Sequence, residues 1–311
     1  VPDGNGKATL LNPRFRTLGW TGAAGSLDKA QNIVLFPFPD GATMDAWWFA
    51  YPVLGLLVGF FAGLLGVGGG AIMVPVLTTL FTYQGFEPAV VVHLALGSSM
   101  AGIVLTSVSS ARTHAAHGAV RWNVWRPMAV GVVGGTFAAS SLASLIPSRP
   151  LALFFAGFIA LVAVQLAFNL KPKAVRPLPG AVGLALVGAG IGAVSALVAI
   201  GGGTMTVPFL TWCQVPITHA IGTSAALGIP IAVTGTIGYL VNGWNDPALP
   251  PYALGYLYLP AVVGISATSI FAAPWGARLA HRLPVPVLKR IFALLLLALV
   301  TKMLWTLFGA G

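Results

Sequence analysis

A chain of 311 residues that is 57% hydrophobic and only 7% charged, with a mean hydropathy of +0.89, is not a soluble domain, which carries about 25% charged residues. Its apolar residues form continuous runs, not ten-residue alternating strands, which excludes a β-barrel and predicts an all-α, polytopic membrane protein. The net charge of +10 is confined to short loops, where it reports membrane orientation and not nucleic-acid binding.

In chain order, residues 1–45 form a mixed arm ahead of the membrane. Four basic residues (Lys7, Arg14, Arg16, Lys29) balance four acidic ones (Asp3, Asp28, Asp40, Asp45) there. Trp47, Trp48 and Tyr51 read as an aromatic belt at the membrane–water boundary. Apolar segments follow at 46–65, 71–83, 89–111, 124–145 and 150–170. A basic cytoplasmic linker at 171–179 precedes a second set at 180–199, 204–214, 217–241, 252–277 and 287–308. The expectation is a first transmembrane repeat over 46–170 and a second over 180–311, with 8–10 membrane segments. The single Cys213 rules out an internal disulfide framework and a CxxC metal or redox motif, and reads as a small buried apolar side chain.

The two halves share motifs. GVGGGAIMVPVL at 66–77 and AIGGGTMTVPFL at 199–210 agree at Gly68/Gly201, Gly69/Gly202, Gly70/Gly203, Val74/Val207, Pro75/Pro208 and Leu77/Leu210. Gly97-Ser98-Ser99 matches Gly222-Thr223-Ser224, and His117-Gly118 matches Asn242-Gly243. A glycine run inside an apolar segment breaks a helix where no water can satisfy the freed backbone. That is tolerated only where protein lines a cavity. A matched pair of such breaks points to a transporter's binding region.

Loop charge bears on how the halves are related. If each triplet separates two crossings, the inner loops hold ten basic residues: Arg112, Arg121, Arg126, Lys171, Lys173, Arg176, Arg278, Arg282, Lys289 and Arg290. The outer loops then hold only Arg149, with Glu87 and Asp246. If each triplet merely interrupts one crossing, the balance falls to six basic residues inside against five outside. The positive-inside rule favours the first arrangement, in which five crossings per half invert the second repeat. The basic residues of an outer arm count against it, and the post-glycine segments of 11–13 residues also fit half-helices.

A helix that starts after a glycine run presents N–H groups without intrahelical acceptors, together with the positive end of its dipole. That combination binds anions. Gly68, Gly69 and Gly70 precede one such start, and Gly201, Gly202, Gly203 and Thr204 mark the other. The competing reading is tight helix packing through small residues. The hydroxyls of Ser98, Ser99, Thr223 and Ser224 could donate to an oxyanion, or else to their own helix's carbonyls. His93 and His219, just ahead of the hydroxyl motifs, are candidate proton carriers or interfacial helix-start residues. Arg112 is a candidate vestibule residue or only a topological charge, and His114 and His117 read as solvated. All six carboxylates lie outside the expected spans, so no acid stands ready for proton or sodium coupling or for a cationic substrate. A neutral-to-positive site favours an anion, whose outward movement gains about 2.3 kcal/mol per charge at 100 mV.

At GLLGVGGGAIMVPVL (63–77), GSS (97–99), HGAVRW (117–122), IGGGTMTVPFL (200–210), GTS (222–224) and NG (242–243), the chain resembles the TauE/SafE family of sulfite and organosulfonate exporters. The resemblance covers most of residues 50–308 and implies a bacterial inner-membrane permease for small sulfur-containing anions such as sulfite, sulfoacetate or other organosulfonates. Arg121 stands where an acidic residue is common in the family, and residues 1–45 find no support in it. The expectation is a non-enzymatic exporter in the lipid bilayer, with no cofactor, metal or nucleic acid. The anion binds near the membrane midplane and is moved by alternating access. An uncoupled anion channel and an importer of another small anion stand as alternatives. An intramembrane serine hydrolase is disfavoured, because a G-x-S-x-G pattern is broken around Ser98, and His93 and Ser99 fall on different helix faces. Patterning leaves the particular anion, the direction, the coupling ion and the oligomeric state open.

Overall fold

The computed structural model describes residues 47–65, 69–168, 175–280 and 285–309. The expected arm at 1–45, Gly68, and the linker's Lys171 and Lys173 lie outside the described residues. The first half builds α1 (Trp47–Leu65), α2 (Gly70–Tyr83), α3 (Val91–Ala116), α4 (Trp122–Ala143) and α5 (Ser148–Ala167). The second builds α6 (Ala181–Val198), α7 (Gly203–Trp212), α8 (Ile217–Asn242), α9 (Leu259–Ala280) and α10 (Val285–Phe308). Each expected apolar segment thus contains one helix, and the fold is all-α and multi-pass. Among the described residues, five helical stretches are long and apolar enough to cross a membrane: Val91–Ala116, Ser148–Ala167, Ala181–Val198, Ile217–Asn242 and Arg290–Phe308.

One segment departs from its expected start. Pro250 and Pro251 disfavour helix at the head of 252–277, and Gly255 turns with φ +55°. A small antiparallel hairpin forms instead, β1 (Ala253–Leu254) on β2 (Leu257–Tyr258), and α9 begins just after it.

Contacts recur in matched pairs when α1–α5 is laid beside α6–α10. Helix α1 packs on α9 as α6 packs on α4, α2 lies on α3 as α7 lies on α8, and α3 crosses α8 at the centre. Glycine makes the first two pairs close. Gly55 and Gly59 of α1 sit against the backbone of Ile265 and Ser269, while Gly188 and Gly192 of α6 sit against Met128 and Val132. These two Gly-xxx-Gly pairs stand at the same 133-residue spacing as the triplets. They bring helices together as small residues do in membranes.

In each half the helices on either side of the glycine run have their outer ends tied together. In the first half, Gln84 just beyond α2 donates its Nε2–H to the Tyr51 hydroxyl near the start of α1, at 2.7 Å. In the second half, the N–H groups of Val175 and Arg176, ahead of α6, donate to the Trp212 carbonyl at the end of α7, at 3.2 and 3.3 Å. The Arg176 guanidinium also lies 4.9 Å from the centre of the Trp212 ring. The chain therefore doubles back between α1 and α2 and between α6 and α7. Tyr51, only 1% exposed, belongs to this closure and not to the aromatic belt expected of it.

Candidate functional site

Gly70 meets the end of α6, just ahead of the second glycine run, inside the protein. A Cβ on Gly70 would collide with the carbonyl oxygen of Ala199, the residue that leads into the second run. The side chain of Ile103 lies against both, 2.8 Å from a Cβ built on Gly70 and 3.9 Å from one built on Gly201. Ala199 itself is left-handed at φ +46°, a conformation costing a non-glycine residue about 1–2 kcal/mol. Strain is thus held where the second run begins.

Helices α2 and α7 start without side-chain caps on Gly69 and Gly202. The Gly69 carbonyl accepts from the N–H groups of Ile72 and Met73 at 3.1 and 3.0 Å, and the Gly202 carbonyl accepts from Thr206 at 2.8 Å. The N–H groups ahead of these have no acceptor within the helix. Gly69, Gly70, Gly201 and Gly202 are buried, whereas Gly203 and Thr204 are half-buried.

The hydroxyl motifs divide into two pairs. Ser98 Oγ accepts the backbone N–H of Tyr258 at 2.9 Å, and Thr223 Oγ1 accepts that of Arg121 at 3.0 Å. Tyr258 and Arg121 immediately precede α9 and α4, so each motif clasps the start of a helix in the other half. The leading glycines allow this approach. A Cβ on Gly97 would collide with the Tyr256 carbonyl, and one on Gly222 would lie 2.5 Å from the Ala119 carbonyl. Each obstructing carbonyl lies two residues before its clasped N–H.

The second hydroxyls, Ser99 and Ser224, are 0% and 2% exposed and have no hydrogen-bond partner. Elsewhere in the helices, the hydroxyls of Thr79, Thr82, Thr211, Thr236, Thr301 and Thr306 donate to the carbonyl four residues back. Among the described residues, none of the four motif hydroxyls does so. Ser98 and Thr223 accept a bond but keep their own O–H free, because a hydroxyl both donates and accepts.

Thr206 joins this group. It is fully buried and unpartnered, and a Cβ on Gly202 would lie 3.1 Å from its Oγ1. Matching the halves passes over it, because its counterpart 133 residues earlier is Met73. The usable signal was a threonine one turn into the helix that follows a glycine run.

The histidines are held by other groups. His93 is 3% exposed, with Nε2 3.0 and 3.1 Å from the carbonyls of Ala143 and Ile146 at the end of α4, and Nδ1 3.3 Å from Ser148 Oγ. Its hydrogen bonds go to these groups and not to Ser98 or Ser99. Its ring lies 5.0 Å from that of Tyr256, whose hydroxyl donates to Asp246 at 2.8 Å. Burial, then the bond to that carboxylate, raises the Tyr256 phenol above its ordinary value. His219 is half-buried with Nδ1 3.3 Å from the Ala119 carbonyl. Arg112 and His117 are exposed, and His114 is half-buried. Glu87 and Asp246 lie in the loops after α2 and α8. Cys213 is buried and unpaired.

Comparison with known proteins agrees with this architecture. The family described as "Sulfite exporter TauE/SafE" matches residues 51–303. A "Probable membrane transporter protein" of Haemophilus influenzae is 36% identical over 256 residues, covering 81% of this chain and 96% of its own length. "Probable membrane transporter protein YdhB" of Bacillus subtilis is 30% identical over 227 residues, 69% of this chain and 87% of that one. "Probable membrane transporter protein MJ0441" of Methanocaldococcus jannaschii is 25% identical over 242 residues, 74% and 85% respectively. No solved structure matches. From α1 to the last turns of α10, and through both glycine runs, this chain belongs to the TauE/SafE sulfite exporter family.

Proposed function

We propose that this protein exports small sulfur-containing oxyanions, sulfite or organosulfonates, across a bacterial inner membrane. Two inverted repeats, 46–170 and 180–311, joined by the cytoplasmic linker 171–179, rock about a shared site to give alternating access. One observation carries the reading: the interior collects hydrogen-bond donors with nothing to receive them. Among the described residues they include the O–H groups of Ser99, Thr206 and Ser224, beside those of Thr78 and Thr136, and the bare N–H groups at the starts of α2 and α7. An oxyanion only accepts, so it is the complementary ligand.

Two further points support the inverted arrangement. The basic loops gather on one side only when each glycine run separates two crossings. The tie from Val175 and Arg176 to Trp212 returns α7 to the side from which α6 departs, as that arrangement requires. The sulfur chemistry rests on the family, and an outward direction agrees with an inside-negative potential.

The test is sulfite efflux from proteoliposomes containing the full chain. Replacing Thr206, beside Gly202 at the start of α7, with valine removes a charge-assisted hydrogen bond, expected to lower flux by about tenfold or more at unchanged protein abundance. Undiminished flux overturns the site.

A further inference from the structure

We propose that the junction of α1, α2 and α10 holds one phospholipid of net negative charge, such as phosphatidylglycerol, with its phosphate at Lys302 and an acyl chain in the slot beneath. This site lies on the lipid-facing surface, apart from the helix starts and hydroxyls of the interior. Val53 and Leu57 of α1, Val76 and Leu80 of α2, and Leu295 and Leu299 of α10 line it. Each pair is four residues apart, the spacing that keeps side chains on one helix face. They enclose two adjoining hollows of about 260 and 420 Å³, which share Val76, Leu80 and Leu299. The rings of Phe61 and Phe292, with centres 5.9 Å apart, lie across the deep end. Ala50, Tyr83 and Lys302 stand at the shallow end, the same end as the tie between Gln84 and Tyr51. Val53 and Leu57 are 57% and 51% exposed, so the slot opens to the surroundings of the protein, which for a multi-pass membrane chain are lipid.

Length and polarity select the occupant. From Ile72 to Tyr83 the slot runs about 16 Å at 1.5 Å per residue. The hydrocarbon core of a bilayer is about 30 Å thick, so the slot is one leaflet deep. Partway along it, the Thr79 hydroxyl already donates to the Pro75 carbonyl at 2.8 Å, which leaves the walls apolar. At the shallow end the Lys302 ammonium lies 5.9 Å from the centre of the Tyr83 ring, which holds it beside the opening.

Lys302 stands six residues before the end of α10, about 9 Å along the helix axis, within a stretch apolar enough to cross a membrane. A cation at that depth is costly unless it reaches the interface or meets an anion. A lipid phosphate is that anion, and the chain attached to it fills the slot. No carboxylate lines the slot to receive a headgroup ammonium. A zwitterionic headgroup would therefore bring a second cation beside Lys302 with nothing to balance it, whereas an anionic headgroup would not.

Native mass spectrometry of the delipidated full chain tests this, with equimolar phosphatidylglycerol and phosphatidylethanolamine of matched chains. One phosphatidylglycerol per chain should be retained, about fivefold over phosphatidylethanolamine, the preference that one lysine near a lipid surface confers. Lys302→Gln, an exposed position, should bring the ratio close to one with Tm unchanged. Leu57→Trp fills the slot from its exposed wall and should cut retention of both lipids. Equal retention of the two lipids by the parent, or a preference that survives Lys302→Gln, overturns the headgroup contact. Retention unchanged by Leu57→Trp overturns the chain's place in the slot. If the delipidated chain runs as a dimer that Leu57→Trp separates, the slot is an interface between copies and the lipid site falls.

Discussion

Two kinds of helix start recur across the halves, and they use the same residue types in opposite ways. Helices α4 and α9 begin under a hydroxyl reaching across from the other half, Thr223 for one and Ser98 for the other. Helices α2 and α7 begin on glycine, buried and uncapped. A hydroxyl that receives an N–H fixes two elements together, whereas a helix start that nothing receives stays available to a ligand. The contrast separates scaffold from site among residues that look alike: Ser98 and Thr223 hold the halves in register, while Ser99, Ser224 and Thr206 have no structural partner.

That contrast can be broken at several strengths. The largest effect is expected from Gly70→Val, whose side chain would meet the Ala199 backbone, which cannot rotate away. A loss of about 3 kcal/mol or more, with a collapsed monodisperse peak in detergent, is expected. Gly201→Ala meets only the edge of Ile103 at 3.9 Å and should stay within about 0.5 kcal/mol of the parent. Normal folding of Gly70→Val would mean that Gly70 does not meet the end of α6.

Next come the clasps. Ser98→Ala or Thr223→Val strands the Tyr258 or Arg121 N–H and should cost about 1–3 kcal/mol in thermal unfolding. Ser99→Ala removes a buried hydroxyl that has no partner, so stability should hold or rise by up to about 1 kcal/mol while flux falls. Equal destabilisation of Ser98→Ala and Ser99→Ala would erase the distinction. The smallest effect belongs to Ala199→Gly. Relief of about 1–2 kcal/mol of left-handed strain is offset by about 0.4–1 kcal/mol of added chain entropy in the unfolded state. The net is a slight stabilisation, read as a small rise in Tm.

Much of this fold was legible in the chain. Apolar length located the helices of the described residues, and motif matching paired them across the two halves as their contacts do. Loop charge favoured a crossing on each side of every triplet, and the Val175–Trp212 and Gln84–Tyr51 ties hold the outer ends of each helix pair together. The division of labour between Ser98 and Ser99 was not legible, because it depends on Tyr258, 160 residues away, and no local pattern encodes that meeting. The hairpin at 253–258 went unread because an apolar run with strong β-formers resembles a helix start until its flanking prolines are weighed. The Gly55/Gly59 and Gly188/Gly192 pairs were present at the triplets' own spacing, but the triplets drew the small-residue argument to themselves.

The clasps have one more implication, for mutational freedom. Both take their donor from the main chain, so the side chains at 121 and 258 contribute nothing to these bonds. That is how an arginine and a tyrosine can hold matching places in the two halves without breaking the match. As far as the clasp is concerned, nineteen amino acids are interchangeable at either position, and proline alone, lacking the N–H, is forbidden. Two halves joined this way are free to drift apart in sequence while remaining the same shape where they meet.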